Sequence, residues 1–172
     1  VMQFSMLPLQ GLTQGAQPII NFNYGAGNIE RVKKAFRLLL ASSLVYSTLL
    51  WAIAMFLPHV FIAIFTSSAE LSAYVTWSIR IYMAASLLFG IQIACQQTFI
   101  ALGNALTSVF LALLRKVILL IPLIFILPAL LPDKVFGVFL AEPVADTIAV
   151  TVTGILFLRE YKRLSHKKVG MD

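Results

Sequence analysis

Residues 11–28 read GLTQGAQPIINFNYGAGN and close an apolar segment that starts at the first residue of the chain. Polar side chains recur along this segment at helical spacing and form one polar stripe, which consists of Gln10, Thr13, Gln14, Gln17 and Asn21. Polar groups are costly in hydrocarbon unless they face other helices or a water-filled cavity. The polar stripe therefore predicts a helix that lines a cavity, with interhelical hydrogen bonding as the alternative.

The same segment contains residues that interrupt regular helix packing. Gly11 and Gly15 permit close approach of a neighbouring backbone, and Pro18 removes one backbone hydrogen-bond donor. We therefore expect close packing and local unwinding in this helix. Gln92 and Gln96, four residues apart in a later apolar segment, predict a similar cavity-lining stripe there.

The composition of the chain indicates a membrane protein. Hydrophobic residues make up 60% of the sequence and charged residues 12%, and the mean hydropathy is +0.92, whereas soluble domains contain about 25% charged residues. The net charge of +6 does not indicate a nucleic-acid partner, because the basic residues lie in short clusters between apolar runs, as at cytoplasmic membrane flanks. We expect a multi-pass protein surrounded by membrane lipid, in a bacterial cytoplasmic membrane.

Five apolar segments reach the roughly 20 residues that cross a bilayer. We place them at Val1–Phe22, Leu38–Phe65, Ser72–Leu102, Ala105–Leu131 and Val135–Leu158. The predicted fold class is an all-α polytopic transmembrane helix bundle, with residues 1–164 as one transmembrane lobe and residues 165–172 as a cytoplasmic basic tail. Because the chain starts inside an apolar run without a charged leader, we expect no signal peptide and interpret the sequence as a fragment.

The distribution of basic residues predicts the orientation of these segments. If the first segment enters from outside, all the basic residues except Arg80 and Lys134 lie on or near the cytoplasmic side. This count includes Arg115 and Lys116, which lie within the fourth segment and are expected to snorkel toward the cytoplasmic surface.

The opening stretch resembles the Q-G-x-x-P-I-x-x-x-N-Y-G-A signature at the eighth helix of MATE multidrug efflux transporters. Three further stretches look like those of Gram-positive members of that family: Gln96–Asn104, Leu114–Lys116 and Ala141–Asp146. The resemblance implies twelve helices in two six-helix lobes, of which this chain would supply helices eight to twelve. The partner it implies is an N-terminal lobe of the same protein.

The resemblance also implies a function, the export of small hydrophobic or cationic drugs in exchange for H⁺ or Na⁺, without a cofactor. Many members of the NorM branch carry an acidic cation ligand on the tenth helix, whereas the corresponding segment here offers only Gln92, Gln96 and Gln97. A NorM-type Na⁺ site in this lobe is therefore not indicated.

Glu142 and Asp146 are the candidates for ion coupling. Their i, i+4 spacing places both carboxylates on one helix face, next to Pro143, which leaves the carbonyl of Phe139 without its helical donor. Burial and mutual repulsion disfavour double ionisation, so the pair is expected to hold a proton near neutral pH. The alternative is a structural ion pair between Asp146 and Arg115, with Glu142 facing an outer vestibule.

Other chemistries find no support in the sequence. It contains no G-x-x-x-x-G-K-[ST] loop, no H-E-x-x-H or Cys/His cluster and no G-x-S-x-G elbow, so we expect neither an enzyme nor a metal site. The alternatives to drug export are a lipid-linked saccharide flippase of the same superfamily and a non-transporting membrane scaffold subunit. The absence of Lys and Arg from the middle of four of the five segments favours a cationic cargo over an anionic saccharide lipid.

Overall fold

A computed structural model of the chain describes residues 2–59, 62 and 69–167, and in this part the chain is helical, without strands. The α-helices are α1 (Met2–Gly25), α2 (Ile29–Phe56), α3 (Ala69–Tyr82), α4 (Phe89–Ala101), α5 (Ala105–Leu113), α6 (Ile121–Leu130) and α7 (Lys134–Lys167). A 3₁₀ segment, Ala84–Leu88, connects α3 to α4, and a π-helical segment, Leu114–Leu120, connects α5 to α6.

These helices supply the membrane spans that the hydropathy pattern predicts. Four stretches of the described chain are long and apolar enough to cross a membrane: Ile29–Phe56, Val75–Ala101, Ala105–Leu130 and Lys134–Leu164. The remaining helix, α1, has 24 residues and so measures about 36 Å, which is also the length of a span. The predicted all-α transmembrane fold is confirmed.

Helix ends differ from the predicted segment ends because hydrophobicity does not set them. Helix α2 begins at Ile29 rather than Leu38, and α7 continues to Lys167 rather than Leu158, since Lys and Arg are good helix formers. At its other end α2 stops at Phe56, because the following Leu57 precedes a proline and leaves the helical region (φ −127°, ψ 48°). The first residues of the predicted basic tail, 165–167, are therefore helical, and the rest of the tail lies outside the described residues.

Helix α1 is continuous, so the expected unwinding is not present. Both Pro8 and Pro18 lie within the helix. A Cβ atom added at Gly11 or Gly15 would meet no atom within 4 Å, so within this chain neither glycine marks a close helix contact. The expectation of close packing at these glycines is wrong for the described lobe, because both lie on the exposed face of α1.

Helix α4 lies at the centre of the bundle and contacts α1, α2, α5 and α7. One half of the core is built around Phe36, Phe99 and Phe157, with ring centroids of Phe36 and Phe157 4.4 Å apart. The other half surrounds Leu9 and Met83. The stretch formed by α5, the π segment and α6 packs mainly against α7, so most of its apolar surface is open.

Gly90 allows α4 to approach α2 closely. A Cβ atom at this position would lie 2.6 Å from the carbonyl oxygen of Ser43 and 2.7 Å from Oγ of Ser47. Ser47 is also bound there, because its hydroxyl donates to the carbonyl of Leu87 at 3.0 Å. The contact is therefore too tight for any other residue without backbone movement.

We predict that Gly90→Ala lowers the thermal stability of the protein. Overpacking of this kind costs about 1–3 kcal/mol, and the loss would be measured as a lower unfolding midpoint in detergent. The matched control is Gly154→Ala in α7, where an added Cβ meets nothing within 4 Å. Equal midpoints for the two variants would contradict the close helix contact.

Candidate functional site

Four charged side chains meet where the π segment packs against α7. The Nε of Arg115 donates a hydrogen bond to Oδ1 of Asp146, and Nζ of Lys116 donates to Oε1 of Glu142 at 2.9 Å. A second guanidinium nitrogen of Arg115, Nη2, lies 3.8 Å from the same Glu142 oxygen. We call Arg115, Lys116, Glu142 and Asp146 the charge cluster.

Local backbone geometry brings these side chains together. Glu142 and Asp146 are one helical turn apart on the buried face of α7. Arg115 and Lys116 are adjacent in sequence, and they lie in a π-helical turn, which holds more residues than an α-helical turn. Consecutive side chains diverge less in such a turn, so both cations face α7: Arg115 contacts both acids, and Lys116 contacts Glu142. π-Turns are frequent at functional sites.

The four side chains differ in exposure, and the difference separates the cluster into two pairs. The side chains of Asp146 and Arg115 are 1% and 19% exposed, and those of Glu142 and Lys116 are 7% and 53% exposed. Two cations face two carboxylates, so the cluster is electrically balanced when both acids are ionised. The Arg115–Asp146 pair is enclosed, whereas the Lys116–Glu142 pair opens to the surface of the described chain.

Arg115 also connects the cluster to the third span. Its guanidinium carbon lies 5.2 Å from the ring centroid of Phe89, which is the distance of a cation–π contact. Phe89 is the first residue of α4 and follows the 3₁₀ segment directly. One arginine therefore joins α4, the π segment and α7.

These contacts bear on the structural part of the sequence hypotheses for the charged residues, while ion coupling by Glu142 or Asp146 stays a prediction. The ion pair between Asp146 and Arg115, raised as the alternative, is present. Snorkelling of Arg115 and Lys116 is wrong, because Arg115 lies ten residues into its span, about 15 Å from the end, while carboxylates lie within hydrogen-bond reach. Glu142 does not face a vestibule; it is buried and bound to Lys116.

The polar stripe of α1 divides into an exposed and a buried part. Gln10, Gln14 and Asn21 are exposed, and Gln17 is half-buried. Thr13 is fully buried, and its hydroxyl donates to the carbonyl of Gln10 at 2.9 Å. Thr13 thus belongs to the packed face of α1, while the amide side chains form its open face.

Gln92 and Gln96 bind neighbouring helices within the bundle. The buried Gln92 accepts a hydrogen bond from the hydroxyl of Thr153 in α7 at 3.0 Å. Nε2 of Gln96 donates to the carbonyl of Ser108 in α5 at 3.3 Å. These are interhelical hydrogen bonds, and cavity lining by either glutamine stays a prediction.

Sequence reasoning missed Lys116 and Phe89 as parts of the site. The available signal was the pair of consecutive basic residues in the middle of the most hydrophobic span, which has a mean hydropathy of 2.6. Charges at such a depth almost always have partners. The positive-inside rule assigned both cations to the membrane surface instead. Among the described residues, no group of three or more His, Cys, Asp and Glu side chains could hold a metal ion.

A bundle of membrane-spanning helices with an intramembrane charge cluster and one polar helix face is the architecture of a multi-pass membrane transporter lobe. The MatE family model matches residues 1–126 of this sequence. The chain belongs to this transporter family, which is not a family of enzymes. The predicted family and the multi-pass membrane location are confirmed.

Known relatives match the chain along most of its length. It is 25% identical over 158 residues to the multidrug export protein MepA of Staphylococcus saprophyticus, a match that covers 91% of the chain and 35% of that protein. The solved structure of the MATE multidrug transporter DinF-BH, in a ligand complex, is similar with a TM-score of 0.84 and 31% identity, over 92% of this chain and 35% of that one.

The fold is shared more widely than the sequence. An inward-facing MATE family transporter of the MOP superfamily has a TM-score of 0.86 at 15% identity, over 95% of this chain and 38% of that one. At this identity the likeness shows the fold alone. The chain spans about a third of the length of the relatives it matches.

Proposed function

We propose that the complete protein is a secondary active exporter of small hydrophobic or cationic compounds, and that this chain supplies helices eight to twelve in its C-terminal lobe. The observation that carries the proposal is the exposed polar face of α1, with Gln10, Gln14 and Asn21 on a helix of membrane-spanning length. A lipid-facing helix would leave these amides without partners. The names of the relatives, a multidrug export protein and a multidrug transporter, agree with drug export.

The open face of α1 supplies one wall of the proposed substrate cavity. Amide side chains carry no charge and both donate and accept hydrogen bonds, so they can bind varied compounds without selecting one. The opposite wall would come from the N-terminal lobe of the same protein. Rocking of one lobe against the other around this midplane site would expose the cavity to each side of the membrane in turn.

Coupling to H⁺ or Na⁺ is assigned to Glu142 in this proposal. Its partner Lys116 is half exposed, so the ion pair can open without moving the enclosed Arg115–Asp146 pair. A proton, a sodium ion, a cationic drug and the Lys116 ammonium would then compete for the same carboxylate. Competition of this kind is what exchange requires, since the drug can leave only when another cation takes its place. Asp146 acts as a positioning residue that holds Arg115.

The two alternative functions have less support. The relatives reported above carry names of drug transporters, and neither a saccharide flippase nor a scaffold finds support among them. The two cations in the fourth span are balanced by carboxylates, so they do not create the basic cavity that an anionic saccharide lipid would need.

We predict that Gln14→Leu or Asn21→Leu weakens ethidium efflux from cells that produce the complete protein, while the amount of protein in the membrane stays near the wild-type level. Each change removes a cavity hydrogen bond worth about 1 kcal/mol, which corresponds to roughly fivefold weaker efflux. Efflux of this fluorescent cation would be followed by the fall of its fluorescence in loaded cells, and abundance by immunoblot.

Thr151→Leu in α7 is the matched control for these variants. Thr151 is an exposed polar residue like Gln14, but its neighbours on the same helix face, Ile148 and Ile155, are exposed and apolar, as expected on a lipid-facing surface. Efflux by Thr151→Leu should equal that of the wild type. A parallel fall of abundance and efflux in Gln14→Leu would indicate helix packing in place of cavity lining.

A further inference from the structure

An apolar groove lies between α2, α4 and α7, away from the charge cluster and from the polar stripe. It has a volume of about 370 Å³ and is walled by Leu40, Leu44, Ile91 and Phe157. Its floor includes Gly154, which leaves room because an added Cβ would meet nothing within 4 Å. No carboxylate lines the groove among the described residues.

One end of the groove is basic. Arg37 lines it, and the ammonium of Lys33 lies 5.7 Å from the ring centroid of Tyr161, which also lines the groove. Lys33 and Arg37 are one turn apart on the same face of α2. The end of the groove thus has Arg37 in its lining and Lys33 against its lining residue Tyr161, and no carboxylate of the described chain lines the groove.

The cations and the apolar wall form one continuous stripe on α2. Lys33, Arg37, Leu40 and Leu44 follow the spacing i, i+4, i+7 and i+11, which places them on one helix face. From Arg37 to Leu44 the stripe extends about 10 Å along the helix axis. Charge at one end and hydrocarbon along the rest is the pattern of a phospholipid, with its phosphate above its acyl chains.

The rim of the groove on α7 is apolar. Leu158, which lines the groove there, is 62% exposed. An exposed leucine at membrane depth indicates contact with hydrocarbon, so an acyl chain can enter the groove sideways from the bilayer. Basic pockets between transmembrane helices near the cytoplasmic surface commonly bind anionic headgroups.

We propose that this groove is a binding site for an anionic glycerophospholipid of the cytoplasmic leaflet. The phosphate lies between Lys33 and Arg37, and one acyl chain lies along Leu40 and Leu44 beside Gly154. The site does not depend on the proposed drug export, because none of its residues belongs to the polar stripe or the charge cluster.

The test is lipid retention by the purified complete protein, measured by native mass spectrometry with phosphatidylglycerol and phosphatidylcholine of identical acyl chains. Wild-type protein should retain phosphatidylglycerol roughly thirtyfold better, as expected from two basic residues at the membrane surface. The double variant Lys33→Gln/Arg37→Gln should lose this preference. Gly154→Leu, which fills the groove, should lower retention of both lipids.

Lys34→Gln is the matched control, because Lys34 is an exposed basic residue next to Lys33, whereas it is Lys33 whose ammonium contacts the groove residue Tyr161. It should keep the preference for phosphatidylglycerol. Equal retention of the two lipids by wild-type protein would overturn the site, as would a preference that persists in Lys33→Gln/Arg37→Gln. A loss in Lys34→Gln as large as in the double variant would also overturn it, since surface charge alone would then explain binding.

Discussion

Replacing Arg115 with Met is expected to prevent the accumulation of folded protein. The substitution keeps most of the side-chain volume but leaves the carboxylate of Asp146, which is 1% exposed, without its guanidinium partner. Removal of one partner from a buried ion pair costs about 3–5 kcal/mol, a large part of the stability of a typical domain. The contact of Arg115 with Phe89 is lost at the same time. Abundance in the membrane and the unfolding midpoint in detergent would measure the effect.

A second substitution shows whether the unpaired carboxylate of Asp146 causes the loss of folded protein in Arg115→Met. In Arg115→Met/Asp146→Leu both charges are absent, and replacement of a whole buried pair by apolar groups is often neutral. We therefore expect the double variant to recover most of the lost abundance. The matched control is Arg163→Met, which removes a surface partner 81% exposed and 3.9 Å from Glu160, and should change little. Failure of Asp146→Leu to rescue would argue against the pair as the source of stability.

Replacing Glu142 with Gln is expected to slow export driven by a pH gradient strongly while folding is kept. Gln preserves the size of the side chain and an oxygen that can accept the hydrogen bond of Lys116, but it does not titrate. Lys116 is 53% exposed, so its unbalanced charge costs much less than that of a buried residue. Coupling free energies of about 1–3 kcal/mol correspond to rates that fall by roughly 5- to 150-fold. Proteoliposomes with an imposed pH gradient provide the assay.

The transport rate and the abundance of Glu142→Gln together show whether Glu142 couples transport to the ion gradient or only stabilises the structure. Glu160→Gln serves as the control, because Glu160 pairs with Arg163 near the end of α7 and lies outside the charge cluster. It should export at the wild-type rate. A wild-type rate in Glu142→Gln would rule out the coupling role and leave Glu142 as the structural partner of Lys116. A loss of abundance in Glu142→Gln comparable to that in Arg115→Met would also indicate a structural role for Glu142.

Several features of this protein were predictable from local sequence. Runs of about 20 apolar residues require helices that cross a membrane, because only a helix satisfies its own backbone hydrogen bonds in hydrocarbon. The pattern in residues 11–28 sufficed to indicate the family. That the amides of α1 share one helix face follows from helical periodicity alone, since a position every three to four residues returns to the same face.

The same periodicity could not show which stripe residues are packed. Thr13 has the spacing of the glutamines, yet it is buried with Leu9 on the packed side of the helix, whereas Gln14 is exposed. The polar stripe is wide enough for one of its edges to reach the packed face of α1. Only the positions of the neighbouring helices α2 and α4 decide where that packed face begins. Within the described lobe, the expectation of close packing at Gly11 and Gly15 fails for the same reason, because small residues mark contacts only where another helix is near.

The partners of the charged residues were decided by tertiary structure. Arg115 and Asp146 are 31 positions apart, and Lys116 and Glu142 are 26 apart. Spacing within one helix identifies the two acids as neighbours, but it carries no information about a residue on another helix. The π turn that carries the two adjacent cations packs against α7, the helix that carries both acids. Sequence thus determined the membrane class, the spans and the polar face. The tertiary structure determined the charge cluster, because the partners of a buried charge are the oppositely charged side chains that helix packing places within hydrogen-bond distance.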